Sequence, residues 1–243
     1  MSPSSRVRSI TFLAVLTLLT ACAGTPEPAP LERPIRVLLL GDSISIGYTQ
    51  HVRELMGDAA HVVRPTNARG GAENCAGTTK GIEHVDRWLA LEGGGWDVIH
   101  FNFGLHDLKR VKPDTGKNSQ DPADPRQAGR PVYRAQLREI TAKLYGTGAR
   151  LVFATTTPFP PGVKPWRDPE DAVRYNRVAL EVMGEFEGVA VDDLYAFALP
   201  RLDEIQQPVN VHFTKEGSRV LAEEVVRSIE AAAGWRSVRV VGP

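Results

Sequence analysis

A chain of 243 residues, 42% hydrophobic and 24% charged, holds enough apolar material for one enzyme-sized domain. Its 29 basic and 29 acidic side chains cancel, which removes the net basic face that nucleic-acid phosphates require. Neither disorder, a collagen-like fibre nor a disulfide scaffold fits this composition.

The chain begins with Arg6 and Arg8, an apolar run from Ile10 to Leu19, and then Leu19-Thr20-Ala21-Cys22. The run is too short to span a bilayer, so residues 1–21 read as an export signal. The four residues ending at Cys22 resemble a bacterial lipobox. That resemblance implies lipidation of Cys22 and an extracytoplasmic, membrane-anchored protein, sorted to the outer membrane if the cell has two. Residues 22–34 carry Pro26, Pro28, Pro30 and Pro34 and read as a semi-rigid tether. At about 3.1 Å per residue it would reach roughly 35–40 Å. With Cys22 lipidated, Cys75 has no partner for a disulfide.

The folded domain is expected from residue 35 to 243. Ile35 to Leu40 is an apolar run ending at Gly41 and reads as a buried strand. Further strands are expected at Ala60 to Val63, Asp97 to Phe101, Arg150 to Ala154 and Gly188 to Val191. Helical periodicity marks Gly47 to Met56, Lys80 to Leu91, Val132 to Tyr145, Pro169 to Glu187 and Lys215 to Ala232. Strands alternating with helices imply parallel pairing through crossovers, hence a three-layer α/β/α sandwich on a five-stranded parallel sheet. Two loops interrupt the rhythm, Lys109 to Arg130 and Pro158 to Asp168. Both leave strand C-terminal ends, where ligand crevices form in open parallel sheets, and are expected to wall a site.

Three short motifs fall on that same edge: Gly41-Asp42-Ser43 after the first strand, Gly104-Leu105-His106-Asp107 after the third, and His212 before the last helix. A serine at a helix start has free backbone N–H groups beside it, which suits a nucleophile whose attack creates an oxyanion. In order and spacing these blocks resemble the SGNH hydrolase, or GDSL-type esterase, family from about residue 35 to 233, with the flavodoxin-like fold of that family. The resemblance implies a serine hydrolase acting on carboxylic esters through an acyl-enzyme. It makes Ser43 the nucleophile, His212 the general base, and the Ser43 N–H one oxyanion donor. The second donor falls at Gly77, or at Ala76 in a register one residue earlier. The third falls at His106, where the family carries asparagine; an imidazole N–H can replace the amide but makes activity sensitive near the imidazole pKa.

One family feature is missing. The acid three residues before the histidine is replaced by Val209, which cannot accept from an imidazole. Three substitutes remain open: a Ser-His dyad with a backbone carbonyl as orienter, which is favoured here; the Asn210 side chain; or Asp192 or Asp193 from the preceding strand end. Asp42 and Asp107 read as turn or cap residues and His100 as a core histidine. His51, His61 and His84 show no ligand spacing, and without an HxxxH or CxxC pair no metal is expected. No cofactor motif is present. The expected partner is an ester substrate, an acylated carbohydrate or envelope glycan by location and family analogy, with no nucleic acid. Two rival functions are O-acyl transfer by the same Ser-His machinery, separable by product analysis with an added sugar acceptor, and a degenerate, non-catalytic glycan-binding lipoprotein.

Overall fold

A computed structural model describes residues 33–234. The expected export signal, Cys22 and the expected tether up to residue 32 lie outside the described residues. Among those described, five strands form one parallel sheet: β1 (Ile35–Leu40), β2 (Ala60–Val63), β3 (Val98–Phe101), β4 (Arg150–Ala154) and β5 (Ala190–Asp192), in the order β2-β1-β3-β4-β5. All neighbours pair in parallel, with Leu38 opposite Val63 on one side and Ile99 on the other. The expected α/β/α sandwich is observed. Helices α1 (Ser43–Met56) and α7 (Lys215–Ala233) pack together on one face. On the other lie α2 (Thr78–Leu89), α3 (Arg130–Tyr145) and α4 (Pro169–Met183), packed in sequence. Two short helices, α5 (Leu194–Ala198) and α6 (Leu202–Ile205), follow β5 and lead toward α7.

The central strands are mostly apolar because helices cover both faces, with His100 a buried polar exception and Arg36 and Arg150 near the strand starts. Val37 to Leu40, Val98 to Phe101 and Val152 to Ala154 are all buried. Onto them α1 lays Ile44, Tyr48, Val52 and Met56, one residue every four, while α7 contributes Leu221, Val225 and Ile229 at the same spacing. This spacing explains why α1 starts at Ser43 rather than at Gly47: Ile44 opens the stripe, and Asp42 caps the helix by accepting from the Ile44 N–H at 2.9 Å.

The long loop after β3 is ordered rather than structureless. Antiparallel bridges join Arg110 to Arg126 and Val111 to Asn118. The second loop is stitched to it, with the Arg110 N–H donating to the Trp166 carbonyl at 3.0 Å and the Trp166 N–H to Ser119 at 2.9 Å. The Arg110 guanidinium stacks over the Trp166 ring, 5.3 Å from its centroid. The two insertions therefore form one unit at the C-terminal edge of the sheet.

Candidate active site

Ser43 is the first residue of α1, directly past the end of β1, and is half-buried. Gly41 makes that turn fit: a β-carbon there would lie 2.8 Å from the Ser45 hydroxyl. His212 sits just before α7 on a tight excursion closed by the Gln207 N–H donating to the His212 carbonyl at 2.9 Å. Although 169 residues apart in sequence, the two side chains meet, with His212 Nε2 2.9 Å from Ser43 Oγ.

His212 Nδ1 lies 2.8 Å from Asn210 Oδ1, so the side chain of Asn210 occupies the place of the missing acid. The favoured sequence reading, a backbone carbonyl as orienter, is thus corrected. Two other bonds determine which Asn210 atom faces the ring. The backbone N–H of His212 can only donate, and it points at the same Oδ1 from 3.1 Å. The amide nitrogen turns the other way, donating to Gln207 Oε1 at 3.1 Å. With oxygen facing Nδ1, that nitrogen carries the hydrogen and Nε2 is left bare toward the serine hydroxyl. Val209 has no side-chain acceptor to offer the ring; it is exposed at a φ of 50°, in the left-handed region a β-branched residue rarely adopts. Asp192 is buried against His100, 2.9 Å from its Nε2, and Asp193 caps α5 while accepting from Thr155 Oγ1 at 2.9 Å. Neither reaches His212.

This relay gives a first test. Asn210→Ala should lower kcat/KM for para-nitrophenyl acetate by about tenfold, less than loss of a charged orienter costs. Asn210→Asp, which places a charge against the imidazolium formed during reaction, should raise it. Val209→Asp should bring no gain, and full activity in Asn210→Ala would show that the ring needs no side-chain partner.

Gly77 is brought to the same edge as the N-cap of α2. Hydrogen bonding distinguishes the two registers: the Ala76 N–H is committed to Asn74 Oδ1 at 2.8 Å, whereas those of Gly77 and Ser43 have no acceptor among the described residues. A side chain at Gly77 would strike the Asp107 carboxyl, 2.8 Å from the β-carbon position. Asp107 accepts from the Thr78 N–H at 2.8 Å and from its hydroxyl at 2.6 Å, tying the start of α2 to the loop after β3. Burial, only partly offset by those bonds, pushes the Asp107 carboxyl up to about 6.

His106, half-buried, adjoins this segment. Desolvation first, and then the positive fields of Lys109, Arg167, His212 and Lys80, press its imidazole down to about 3. It is therefore neutral near pH 7. Lys109 Nζ stands 3.5 Å from Nδ1, and an ammonium can only donate, so Nε2 keeps the hydrogen and is the available donor. The expected sensitivity near the ordinary imidazole range does not arise at this residue.

Two buried arginines escaped the sequence reading. Arg64, at the end of β2, donates to Thr49 Oγ1 at 2.7 Å, to Ser45 Oγ at 3.2 Å, and to the carbonyls of Glu73 and Gly41. It clamps the nucleophile turn to the segment leading to Gly77. A lone arginine closing an apolar strand at the ligand edge was the available signal. Arg167 donates to the Leu105 carbonyl at 3.0 Å, next to His106; nothing local in the sequence marks it. Cys75 is free and buried, its thiol pushed up to about 11 by desolvation, so it stays protonated and unreactive. Beside the Ser43–His212 pair opens a cleft of about 230 Å³, lined by Ile44, Gly47, Gln207, Phe213 and Ser218. Among the described residues no three His, Cys, Asp or Glu side chains gather as a metal site.

Residues 39–220 match the GDSL-like Lipase/Acylhydrolase family, spanning the end of the strand before Ser43, the Gly77 and His106 segments, and His212. The chain belongs to this family. No curated protein matches its sequence. Among solved structures, it resembles the lipase/acylhydrolase from Enterococcus faecalis at 21% identity and a TM-score of 0.63, over 81% of this chain and 96% of that one. A catalytic mutant of Axe2, an acetylxylan esterase from Geobacillus stearothermophilus, superposes at 0.61 and 16% identity, covering 87% and 99%. The acetyl xylan esterase AlAXEase gives 0.60 at 14%, covering 80% and 100%. At these identities the likeness is one of fold.

Proposed function

We propose that this GDSL-family hydrolase is a serine esterase that removes an acyl group from an acylated carbohydrate through an acyl-enzyme on Ser43. The observation that carries the reading is the continuous relay from Asn210 Oδ1 through both nitrogens of His212 to the Ser43 hydroxyl. In the reaction, Ser43 Oγ attacks the ester carbonyl carbon while His212 Nε2 takes the hydroxyl proton. The oxyanion of the tetrahedral intermediate is met by the N–H groups of Ser43 and Gly77 and by the His106 imidazole. His212 returns the proton to the departing alcohol, then takes one from the water that attacks the acyl-serine, and passes it to Ser43 Oγ as the acid leaves. Asn210 holds the ring in the tautomer that begins the cycle.

The choice of a carbohydrate ester is supported by the two acetylxylan esterases among the similar folds and by the export signal. The proposed location is extracytoplasmic, through a lipid on Cys22 that anchors the domain to the membrane. Treatment with a fluorophosphonate should modify one residue, Ser43, and abolish acetate release from acetylated xylo-oligosaccharides. Modification elsewhere, with acetate release intact, would remove Ser43 from the mechanism.

A further inference from the structure

Some charged side chains near the two stitched loops are matched. Arg126 pairs with Asp171 at 2.6 Å, Arg174 with Asp168 at 3.0 Å, and Lys112 with Asp124 at 2.8 Å. Several cations on the loops are not, and among them Arg167, Lys109 and Arg110 are wholly or partly buried. Arg167 is 5% exposed, yet no carboxylate among the described residues lies within 4.0 Å of it. Its Nε and one terminal nitrogen donate to the carbonyls of Leu105 and Pro165, and its second terminal nitrogen has no partner. Lys109, half-buried, has only the His106 ring at 3.5 Å. Arg110 stacks on Trp166, with its Nε buried and unpartnered.

A guanidinium held away from water with two neutral acceptors loses hydration that those acceptors only partly replace. Burial and the field of Arg167 disfavour the charge of Lys109, opposed by Asp107, and the carboxylate whose field reaches Arg167 is Asp42, already engaged as the cap of α1. Holding two repelling cations beside the nucleophile's turn is costly in the empty site. The cost is offset when an anion enters. Arginine and lysine side by side suit a carboxylate or sulfate, which accept several charge-assisted hydrogen bonds at once.

Resting on the esterase reading above, we propose that Arg167 and Lys109 form an anion subsite beside the reacting ester, so that the substrate is an acylated sugar bearing a carboxylate or sulfate. The anion sits on the His106 side of Ser43, since Arg167 is bonded to the residue preceding His106 and Lys109 to its ring. Binding energy from this remote charge orients the ester carbonyl toward Ser43.

The test compares acetate release from three mono-O-acetylated glycosides: methyl glucoside, methyl glucuronoside, and methyl glucoside sulfated at its primary hydroxyl. The protein should favour one charged ester over the neutral one by about tenfold or more in kcat/KM, and which one wins separates carboxylate from sulfate. Arg167→Gln should lower that ratio at least about tenfold, and Lys109→Gln should lower it less. Equal rates on charged and neutral esters overturn the subsite. So does an Arg167→Gln protein in which both rates fall together, because the arginine then acts on the oxyanion of any ester. If Arg167→Gln does not fold, judged by its thermal transition, the Lys109→Gln ratio decides, and an unchanged ratio overturns the proposal. Should the wild type release acetate from none of the three, the esterase reading fails instead. Calorimetric binding of the same esters to Ser43→Ala then decides the subsite, supported by tighter binding of a charged ester and overturned by equal affinities.

Discussion

Ser43→Ala is expected to lower turnover of para-nitrophenyl acetate by about 10⁴-fold or more while leaving the thermal transition within a few degrees of wild type. The hydroxyl makes one side-chain hydrogen bond, to His212, so its removal leaves no buried polar group unsatisfied. Alanine is also a better helix former than serine at the first turn of α1, where Asp42 rather than Ser43 supplies the cap. The residual rate should not fall to that of water, because the Ser43 and Gly77 N–H groups and His106 still stabilise the oxyanion formed by direct attack of water. His212→Ala should cost about as much, and the double variant no more than either alone, since the two side chains act as one unit. Rates that multiply in the double variant would mean that they work independently.

His106→Ala should lower turnover by about 10²–10³-fold if its N–H meets the oxyanion. His106→Asn, which restores an amide donor at that place, should recover most of this loss. Because the folded-state imidazole is held at about 3, the shape of the rate profile between about pH 5 and 8 should be the same in wild type and His106→Asn. An inflection lost in the variant would show that His106 titrates there after all. Stability carries a second signature. Starting from an ordinary value of 6.5, the unfolded chain takes up this proton before the folded one does. The contribution of His106 is therefore fully present above about 6.5 and is lost as pH falls toward 3. Asp107 runs the other way, its contribution present below its ordinary 3.8 and lost as pH rises through about 6. His106→Asn should consequently hold its thermal transition better than wild type on going from about pH 7 to pH 4.

How much of this was legible before folding differs by element. Strands β1, β2 and β4 match their expected bounds residue for residue, because a run such as Ile35 to Leu40 is apolar for a reason local to the strand: both its faces are covered. Helix α7 differs by one residue, its start marked by Thr214, whose hydroxyl accepts from the Gly217 N–H. By contrast β5 shifted toward Asp192, and α4 stopped at Met183 before Gly184 instead of running to Glu187. The loop after β3 carried no periodicity at all, since it is held by pairing with a segment some fifty residues later, through Ser119 and Trp166.

The roles given to Ser43, His212, Gly77 and His106 come from the resemblance to the family; the alternation that brings their segments to one sheet edge follows from linear pattern, because burial stripes and strand ends are written in neighbouring residues. Partner choice is not. That Asn210 rather than Asp192 meets His212, that Ala76 spends its N–H on Asn74 while Gly77 does not, and that Arg167 is buried with no carboxylate beside it, all depend on turn geometry and on segments far apart in the chain. Hydrogen bonds and charges select their partners by distance and angle, and those exist only once the core has packed.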